Sequence, residues 1–228
     1  MSAIGLSPRL PPPRAILFDW DNTLVDAWGT IQLALNAALT AMGFNAWTME
    51  ETRIRVRASL RDSFPRMFGD RWTEARDIFY ATYREKHLEA VRALPEAGEV
   101  TSCLARQGLY LGVVSNKTGP LLRAEAAKLG WDRHFGRMVG AGDAKIDKPA
   151  PDPVYLATQE LSITDYNSVW FIGDAAIDIE CARHAGCIAI LIGPAAGEED
   201  RIKQLNPEAQ LPQLADVLDL VRRSGLPI

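Results

Sequence analysis

The alternation of apolar and polar positions divides the chain into two kinds of structure. A short apolar run, Ala15–Phe18, predicts a buried strand. Beyond it, apolar residues recur every three or four positions over residues 31–42, and Thr48 with Glu51 has the spacing of a capping box that starts a further helix. No strand pattern interrupts residues 27–92. The pattern therefore predicts a small all-helical subdomain inserted directly after the first strand.

After this insert, the pattern changes to strands that alternate with helices. Apolar runs predict strands at 109–114, 137–139, 169–172 and 187–192. Such alternation is typical of a parallel sheet with helices on both faces. The fold class we predict is α/β, with a three-layer core built from residues 15–26 and 93–228. The last segment, residues 211–221, has the pattern of one amphipathic helix.

Composition and charge exclude several classes of protein. The chain has 228 residues, of which 47% are hydrophobic and 24% are charged, as in ordinary globular proteins. Its net charge of −4 offers no basic surface, so we expect no nucleic-acid partner. No apolar run approaches the roughly 18 residues of a membrane span, so we expect no membrane association. The number of subunits stays open.

The N-terminal residues and the cysteines bear on where the protein acts. Residues 1–14 are rich in proline and lack the apolar segment of a secretory signal, which predicts a flexible proline-rich tail. The P-x-x-P spacing in this tail leaves open a role in docking a partner. Cys103, Cys181 and Cys187 are odd in number and form no C-x-x-C pair, which indicates reduced thiols in a cytoplasmic protein.

Polar side chains suited to metal or phosphate chemistry stand where the predicted strands end. Asp19 and Asp21 directly follow the first strand, and burying two carboxylates there is costly unless a cation or a reaction uses them. Ser115 ends a later strand and Asp174 ends another. In open α/β sheets this edge is where ligands bind. Trp20, between the two carboxylates, should point away from the edge because side chains alternate along a strand.

Four segments in chain order resemble the motifs of the haloacid dehalogenase (HAD) superfamily. They are DWDNT at 19–23, Ser115, Lys148 in DKPAPDP, and Asp174 with Asp178 in GDAAID. The helical insert between the first and second motifs resembles the cap of the phosphoglycolate phosphatase and β-phosphoglucomutase branch. The resemblance covers about residues 15–195 and implies a Rossmann-like core with a helical cap.

This resemblance implies a phosphatase that works through a covalent intermediate. Asp19 would be the nucleophile that attacks phosphorus, and Asp21 the general acid that protonates the leaving alkoxide and then activates water. Asp21 argues for phosphate esters, because dehalogenases of the superfamily work without the second aspartate. Asn22 stands where the family usually has glycine, and asparagine is one of the few side chains that tolerate a left-handed backbone.

The resemblance also implies groups that bind the phosphoryl oxygens and Mg²⁺. The phosphoryl oxygens would be held by the side chains of Thr23, Ser115, Asn116 and Lys148. Mg²⁺ would be held by the carboxylates of Asp19 and Asp174 and by the backbone carbonyl of Asp21. A fourth aspartate in the metal group, Asp178, would orient Lys148 or a water on the metal. The implied partner is a small-molecule phosphate ester.

A row of arginines in the insert is the candidate for choosing the substrate. Arg53, Arg57 and Arg61 are spaced by four and would share a helical face if the segment RIRVRASLR is one continuous helix. A cationic cap could select a substrate with a second anionic group such as a carboxylate, which makes phosphoglycolate the first candidate. The alternative is a solvated charged face, in which Arg55 pairs with Glu51.

The function we predict is Mg²⁺-dependent hydrolysis of a small phosphate monoester. A phosphomutase of the β-phosphoglucomutase type uses the same four motifs and stays an alternative. A non-catalytic binding protein on the same scaffold is a second alternative. Such a protein would lack a nucleophile, an acid or a metal ligand, whereas this sequence has residues for all three roles.

Overall fold

The computed structural model describes residues 10–56, 60–195 and 197–228. Its strands are β1 Ala15–Phe18, β2 Val25–Asp26, β3 Arg92–Ala93, β4 Tyr110–Thr118, β5 Arg137–Ala141, β6 Val169–Gly173, β7 Ile188–Ile192 and β8 Ala209–Leu211. Its helices are α1 Trp28–Ala41, α2 Met49–Arg55, α3 Leu60–Phe68, α4 Trp72–Ala90, α5 Ala97–Arg106, α6 Gly119–Leu129, α7 Asp152–Ala157, α8 Ala176–Ala185, α9 Glu199–Leu205 and α10 Asp216–Ser224. Within the described ranges, none of the helices has both the length and the apolar character needed to cross a bilayer.

A parallel sheet of six strands forms the centre of the molecule, which confirms the predicted α/β class. The strand order is β5-β4-β1-β6-β7-β8, so β1 lies between β4 and β6. Phe18, the last residue of β1, pairs with Val113 on one side and with Ile172 on the other. Because the three strands run the same way in this register, the polar residues that follow them meet at one edge of the sheet.

Helices cover both faces of the sheet, so the core has three layers. The side chains of β1 alternate between the two faces. Ile16 and Phe18 pack in a cluster with residues of α5, α6 and α10. Leu17 packs in a second cluster with residues of α7, α8 and α9. β1 is buried on both faces, which explains its uninterrupted apolar sequence.

The four helices α1–α4, which we call the cap, have a hydrophobic core of their own. This core contains Leu35, Phe64, Phe79 and Tyr83, together with Leu121 from α6. The capping box anticipated at the start of α2 is present, with the side chain of residue 48 accepting from the backbone of residue 51 and the reverse bond also made. The cap is attached through β2 and β3, which pair antiparallel, so the chain leaves the core and returns to it at neighbouring positions.

The described residues that precede β1 contact the core at several points, although Pro11, Pro12 and Arg14 are exposed. Leu10 is buried, the indole nitrogen of Trp170 donates to the carbonyl of Pro11 at 3.1 Å, and the backbone N–H of Arg14 donates to the carbonyl of Ser168 at 2.7 Å. Residues 1–9 of the expected tail lie outside the described residues. Residues 10, 11 and 14 of the predicted tail therefore contact the core.

The prediction of one helix over residues 211–221 is wrong for the first part of this range. Ala209–Leu211 is instead the edge strand β8, parallel to β7, and α10 begins only at Asp216. The strand alternates, with Ala209 and Leu211 buried and Gln210 exposed. Three residues are too few to distinguish this alternation from the longer helical pattern that follows. Pro212 then separates the two elements, because proline has no N–H to continue a ladder.

A glycine at the contact between β5 and α6 provides a test of this packing. A Cβ on Gly140 would lie 2.5 Å from the Cα of Gly119 and 2.6 Å from the carbonyl oxygen of Lys117. Because backbone atoms cannot rotate away, we expect Gly140→Ala to lower the free energy of unfolding by about 1–3 kcal/mol, measured by urea denaturation. The matched variant Gly29→Ala, which has open space in α1, should be neutral or slightly stabilising. Equal losses for both variants would contradict this packing.

Candidate active site

A tight turn after β1 presents the two aspartates of the first motif. The backbone N–H of Asp19 donates to the carbonyl of Ile172 at 2.9 Å, which continues the ladder to β6 by one residue. Asn22 then adopts a left-handed backbone with φ of 63°, the conformation that the sequence predicted asparagine would tolerate. The side chain of Trp20, which lies between Asp19 and Asp21 in the sequence, is fully buried in the core, as the alternation of side chains along the strand predicts. Asp19 and Asp21 are both brought to the edge of the sheet.

Lys148 joins the first motif to the fourth. Its Nζ lies 2.7 Å from Asp19 Oδ1 and 2.6 Å from Asp178 Oδ1, and its side chain is buried. Burial alone would lower the pKa of Lys148, but the charges of Asp178 and Asp19 outweigh it and raise the pKa above its usual value. The ammonium group is therefore held protonated between two carboxylates.

Asp178 is folded back over the strand that carries the fourth motif. A Cβ on Gly173 would lie 2.4 Å from Cβ and Cγ of Asp178, so only glycine fits there. Asp178 Oδ2 also accepts a hydrogen bond from the backbone N–H of Ala175 at 3.1 Å and so caps the start of α8. Burial raises the pKa of Asp178 to about 6, although Lys148 opposes the shift.

Three carboxylates form a cluster that could hold a cation. Oxygen atoms of Asp19, Asp174 and Asp178 all lie within 4.8 Å of one another. Burial, followed by the charges of Asp178 and Asp19, raises the pKa of Asp174 well above its usual value. Lys148 pairs with Asp19 and Asp178, and Asp174 adds a third negative charge, so a divalent cation would reduce the repulsion within the cluster. An all-oxygen donor set fits a hard cation such as Mg²⁺.

Thr23 forms a hydrogen bond to one aspartate of this cluster. It is buried, and its hydroxyl donates to Asp174 Oδ1 at 3.1 Å. The structure thus gives this hydroxyl a carboxylate partner where the sequence predicted a phosphoryl oxygen. The hydrogen bond fixes the orientation of the Asp174 side chain, so a residue of the first motif positions a residue of the fourth.

Asp21 has a lysine of its own, which the sequence analysis missed. Lys117 Nζ lies 2.6 Å from Asp21 Oδ1, and the lysine side chain is buried. Burial raises the pKa of Asp21 to about 6, although the charge of Lys117 opposes the shift. A carboxyl group with such a pKa can both give and take a proton near neutral pH. The available signal was a lysine directly after Ser115 and Asn116 at the end of a predicted strand.

Ser115 and Asn116 complete the edge at the end of the buried part of β4. Ser115 is buried, and its Oγ accepts from the backbone N–H of Lys117 at 3.2 Å. Asn116 Nδ2 donates to the carbonyl of Lys148 at 3.2 Å and so ties the second motif to the loop of the third. Both residues line the same cavity as the aspartates. The predicted phosphate-binding residues Ser115, Asn116 and Lys148 are therefore neighbours.

A cavity of about 190 Å³ lies between the sheet edge and the cap. Its floor is polar and includes Asp19, Asp21, Ser115, Asn116, Lys148, Asp174 and Asp178. Its described cap residues are aromatic or aliphatic, namely Trp28, Ile31, Val56, Leu60, Phe79, Tyr80 and Tyr83. The charged floor and the apolar roof separate a region suited to phosphate from a region suited to the rest of a substrate.

The row of arginines does not lie on one continuous helix. Helix α2 ends at Arg55, and Val56 has an extended backbone, so four-residue spacing does not place the three arginines on a common face. Arg57 and the side chain of Arg61 lie outside the described part of the chain. The guanidinium of Arg53 lies 5.9 Å from the ring centroid of Trp28, a residue that lines the cavity. The Glu51–Arg55 pair expected on the solvated face is present, with a separation of 3.0 Å.

Comparison with known proteins gives the family and supports the fold. A profile described as haloacid dehalogenase-like hydrolase matches residues 16–192. A phosphoglycolate phosphatase of Photorhabdus laumondii is 29% identical over 222 residues, which cover 94% of this chain and 93% of that protein. A phosphoglycolate phosphatase of Aquifex aeolicus is 29% identical over 174 residues, which cover 76% of this chain and 81% of that protein. A crystal structure from Haemophilus somnus, described as a predicted phosphoglycolate phosphatase, superposes with a TM-score of 0.81 at 23% identity and covers 91% of this chain and 97% of its own.

Removing the ammonium of Lys148 tests the electrostatics of the floor. In EDTA, we expect Lys148→Met to lower the free energy of unfolding by about 3–5 kcal/mol at pH 8, because two buried carboxylates lose their partner. Without that partner the folded-state pKa of Asp178, which burial already raises, rises further above its unfolded value, so the folded variant binds more protons. Its stability must then fall as pH rises, and the loss should be smaller at pH 5.5 than at pH 8.

The measurement is denaturant unfolding of both proteins at the two pH values. Lys86→Met is the matched control, because Lys86 forms an exposed pair with Glu85, and it should change stability little at either pH. A loss for Lys148→Met that is the same at both pH values would refute the electrostatic explanation.

Proposed function

The chain belongs to the haloacid dehalogenase-like hydrolase family, and on that premise we propose that it hydrolyses a small phosphate monoester with the help of Mg²⁺. The observation that carries the proposal is the placement of Asp19 and Asp21 side by side on the cavity floor, each with its own buried lysine. Asp19 has the position of a nucleophile, while the raised pKa of Asp21 suits a proton donor.

Mg²⁺ fits the acidic cluster of the floor. Asp19, Asp174 and the backbone carbonyl of Asp21 would hold it, with Asp178 oriented behind them by Lys148 and Ala175. When bound, the ion would neutralise the negative charge of the phosphoryl group and of the carboxylate that must approach it. The residues of the chain carry out the remaining chemistry.

The reaction divides into two displacements at phosphorus. Asp19 attacks phosphorus in line, the bond between phosphorus and the ester oxygen breaks, and Asp21 gives its proton to the leaving alkoxide. Ser115, Asn116 and Lys148 hold the phosphoryl oxygens while the aspartyl-phosphate forms. The ionised Asp21 then takes a proton from the water that attacks phosphorus, which releases inorganic phosphate and restores both aspartates.

Phosphoglycolate is the substrate that we propose to test first. Support comes from relatives that are named phosphoglycolate phosphatases and match nearly the full chain at just under 30% identity. We also propose the cytoplasm as the site of action, because all three cysteines are free thiols. The apolar roof of the cavity makes esters with a larger leaving group a necessary part of the same panel.

Phosphate release from a panel of monoesters tests the activity. We expect release from at least one ester in Mg²⁺, loss of release in EDTA, and a decrease of at least about a thousandfold in Asp19→Asn. Asp219→Asn is the matched control, since Asp219 pairs with Arg222 on the exposed side of α10, and it should keep full activity. Including hexose phosphates, with analysis of isomerised products, separates hydrolysis from a mutase reaction. Release that survives in Asp19→Asn would contradict the proposed nucleophile.

Thermal unfolding tests the metal site without relying on activity. A ligand present at 100 times its Kd stabilises the folded state by about 2.7 kcal/mol, which for a chain of this length raises Tm by about 5–10 °C. We expect Mg²⁺ to produce a shift of this order in the wild type and in Asp219→Asn, and to produce none in Asp174→Asn. An equal shift in Asp174→Asn would place the bound ion elsewhere.

A further inference from the structure

Glu125 of α6 is a carboxylate buried beneath the candidate active site, with only 1% of its surface exposed. Taking a carboxylate out of water costs several kcal/mol unless its oxygens are fully partnered. Four side chains meet it, at 2.5 Å from Lys117 Nζ, 2.8 Å from Trp20 Nε1, 3.0 Å from His87 Nδ1 and 3.3 Å from the Tyr83 hydroxyl. We call these five residues the Glu125 network.

Two members of the network hold Asp21 from different sides. Trp20 is the residue directly before Asp21, and its indole N–H donates to Glu125, which fixes the backbone of the turn. Lys117 lies between the two carboxylates, 2.5 Å from Glu125 and 2.6 Å from Asp21. Glu125 therefore determines where the ammonium that faces Asp21 can stand.

The other two members come from the cap. Tyr83 and His87 lie one turn apart on α4, the helix through which the cap returns to the core, and their rings stack with centroids 5.6 Å apart. Tyr83 also lines the cavity, and the Lys117 ammonium lies 5.3 Å from the centroid of its ring. One core carboxylate thus links Asp21 to the roof of the cavity.

We propose that Lys117 and Glu125 are positioning residues that hold the Asp21 carboxyl group in the orientation from which it exchanges its proton. Glu125 acts through Lys117 and Trp20, and its bonds to Tyr83 and His87 make that orientation depend on the seating of α4. The inference rests on the proposed function, which gives Asp21 the role of acid and base. A network that served stability alone would influence the folded state without a special relation to Asp21.

The proposal predicts a specific kinetic relation between Glu125 and Asp21. Displacing a catalytic group by about 1 Å can cost on the order of a hundredfold in rate. We expect Glu125→Gln, which keeps the size of the side chain and removes its charge, to lower kcat by about 10–100-fold with KM changed less than about threefold. In the Asp21→Asn background, where no carboxyl group is left to orient, the same change should lower kcat less than about threefold.

The measurement is a double-mutant cycle on hydrolysis of p-nitrophenyl phosphate, whose leaving group needs little protonation, so that the slow Asp21→Asn variants remain measurable. With this ester kcat depends on Asp21 as the base that activates water on the aspartyl-phosphate. Glu160→Gln is the matched control, because Glu160 is exposed and pairs with Arg137, and it should leave kcat unchanged. Equal losses in the two backgrounds would overturn the proposal, as would an unchanged kcat in Glu125→Gln. If the wild type released phosphate from no ester of the panel, including p-nitrophenyl phosphate, the proposed function would instead be refuted.

A second variant keeps the test decisive if Glu125→Gln does not fold, as judged by thermal unfolding. Trp20→Phe retains a buried aromatic ring and removes only the N–H that donates to Glu125. We expect it to lower kcat by about 3–10-fold in the wild-type background and to leave kcat of Asp21→Asn unchanged. A loss of the same size in both backgrounds would show that the network supports the fold without positioning Asp21.

Discussion

A buried ammonium held between two carboxylates is the interaction on which the rest of the structure depends, and it occurs twice in the part of the chain that the structure describes. Lys148 lies between Asp19 and Asp178, and Lys117 lies between Asp21 and Glu125. Each aspartate that follows β1 is thereby compensated at a position where an unpaired charge would be too costly. The parallel register of β1 with its two neighbours is what brings these groups from distant parts of the chain to one edge.

The two buried lysines differ in how much negative charge remains unpaired around them in the candidate active site. The bridge through Lys148 still leaves Asp174 and an excess of negative charge on the cavity floor, which favours a divalent cation. The bridge through Lys117 includes no further acidic group that faces the cavity except Asp21 itself, among the residues that line it. The proposed metal binding and the proposed proton exchange thus involve separate sets of side chains, so a substitution can alter one set and leave the other in place.

The sequence was sufficient for five of the six strands of the sheet, all but β8, and for the residues that follow the ends of those strands. Asp19, Asp21, Ser115 and Asp174 could be found because each directly follows an apolar run. Glu125 could not be found in this way, because a single glutamate in an amphipathic helix is normally predicted to face solvent. Its burial depends on partners from other parts of the chain. The pairing of Lys117 with Asp21 was hidden for the same reason, since it depends on contacts across about a hundred residues of chain and no local pattern records it.

The antiparallel pair β2 and β3 has a consequence for how such a protein can diversify. Because the chain enters and leaves the cap through neighbouring residues, the insert could be exchanged for one of another size without changing the order of the strands. The Glu125 network limits that freedom. A foreign cap joined correctly at β2 and β3 would still leave a buried carboxylate without the two donors that α4 provides. A transplanted cap must therefore bring matching donors or be accompanied by a change at residue 125.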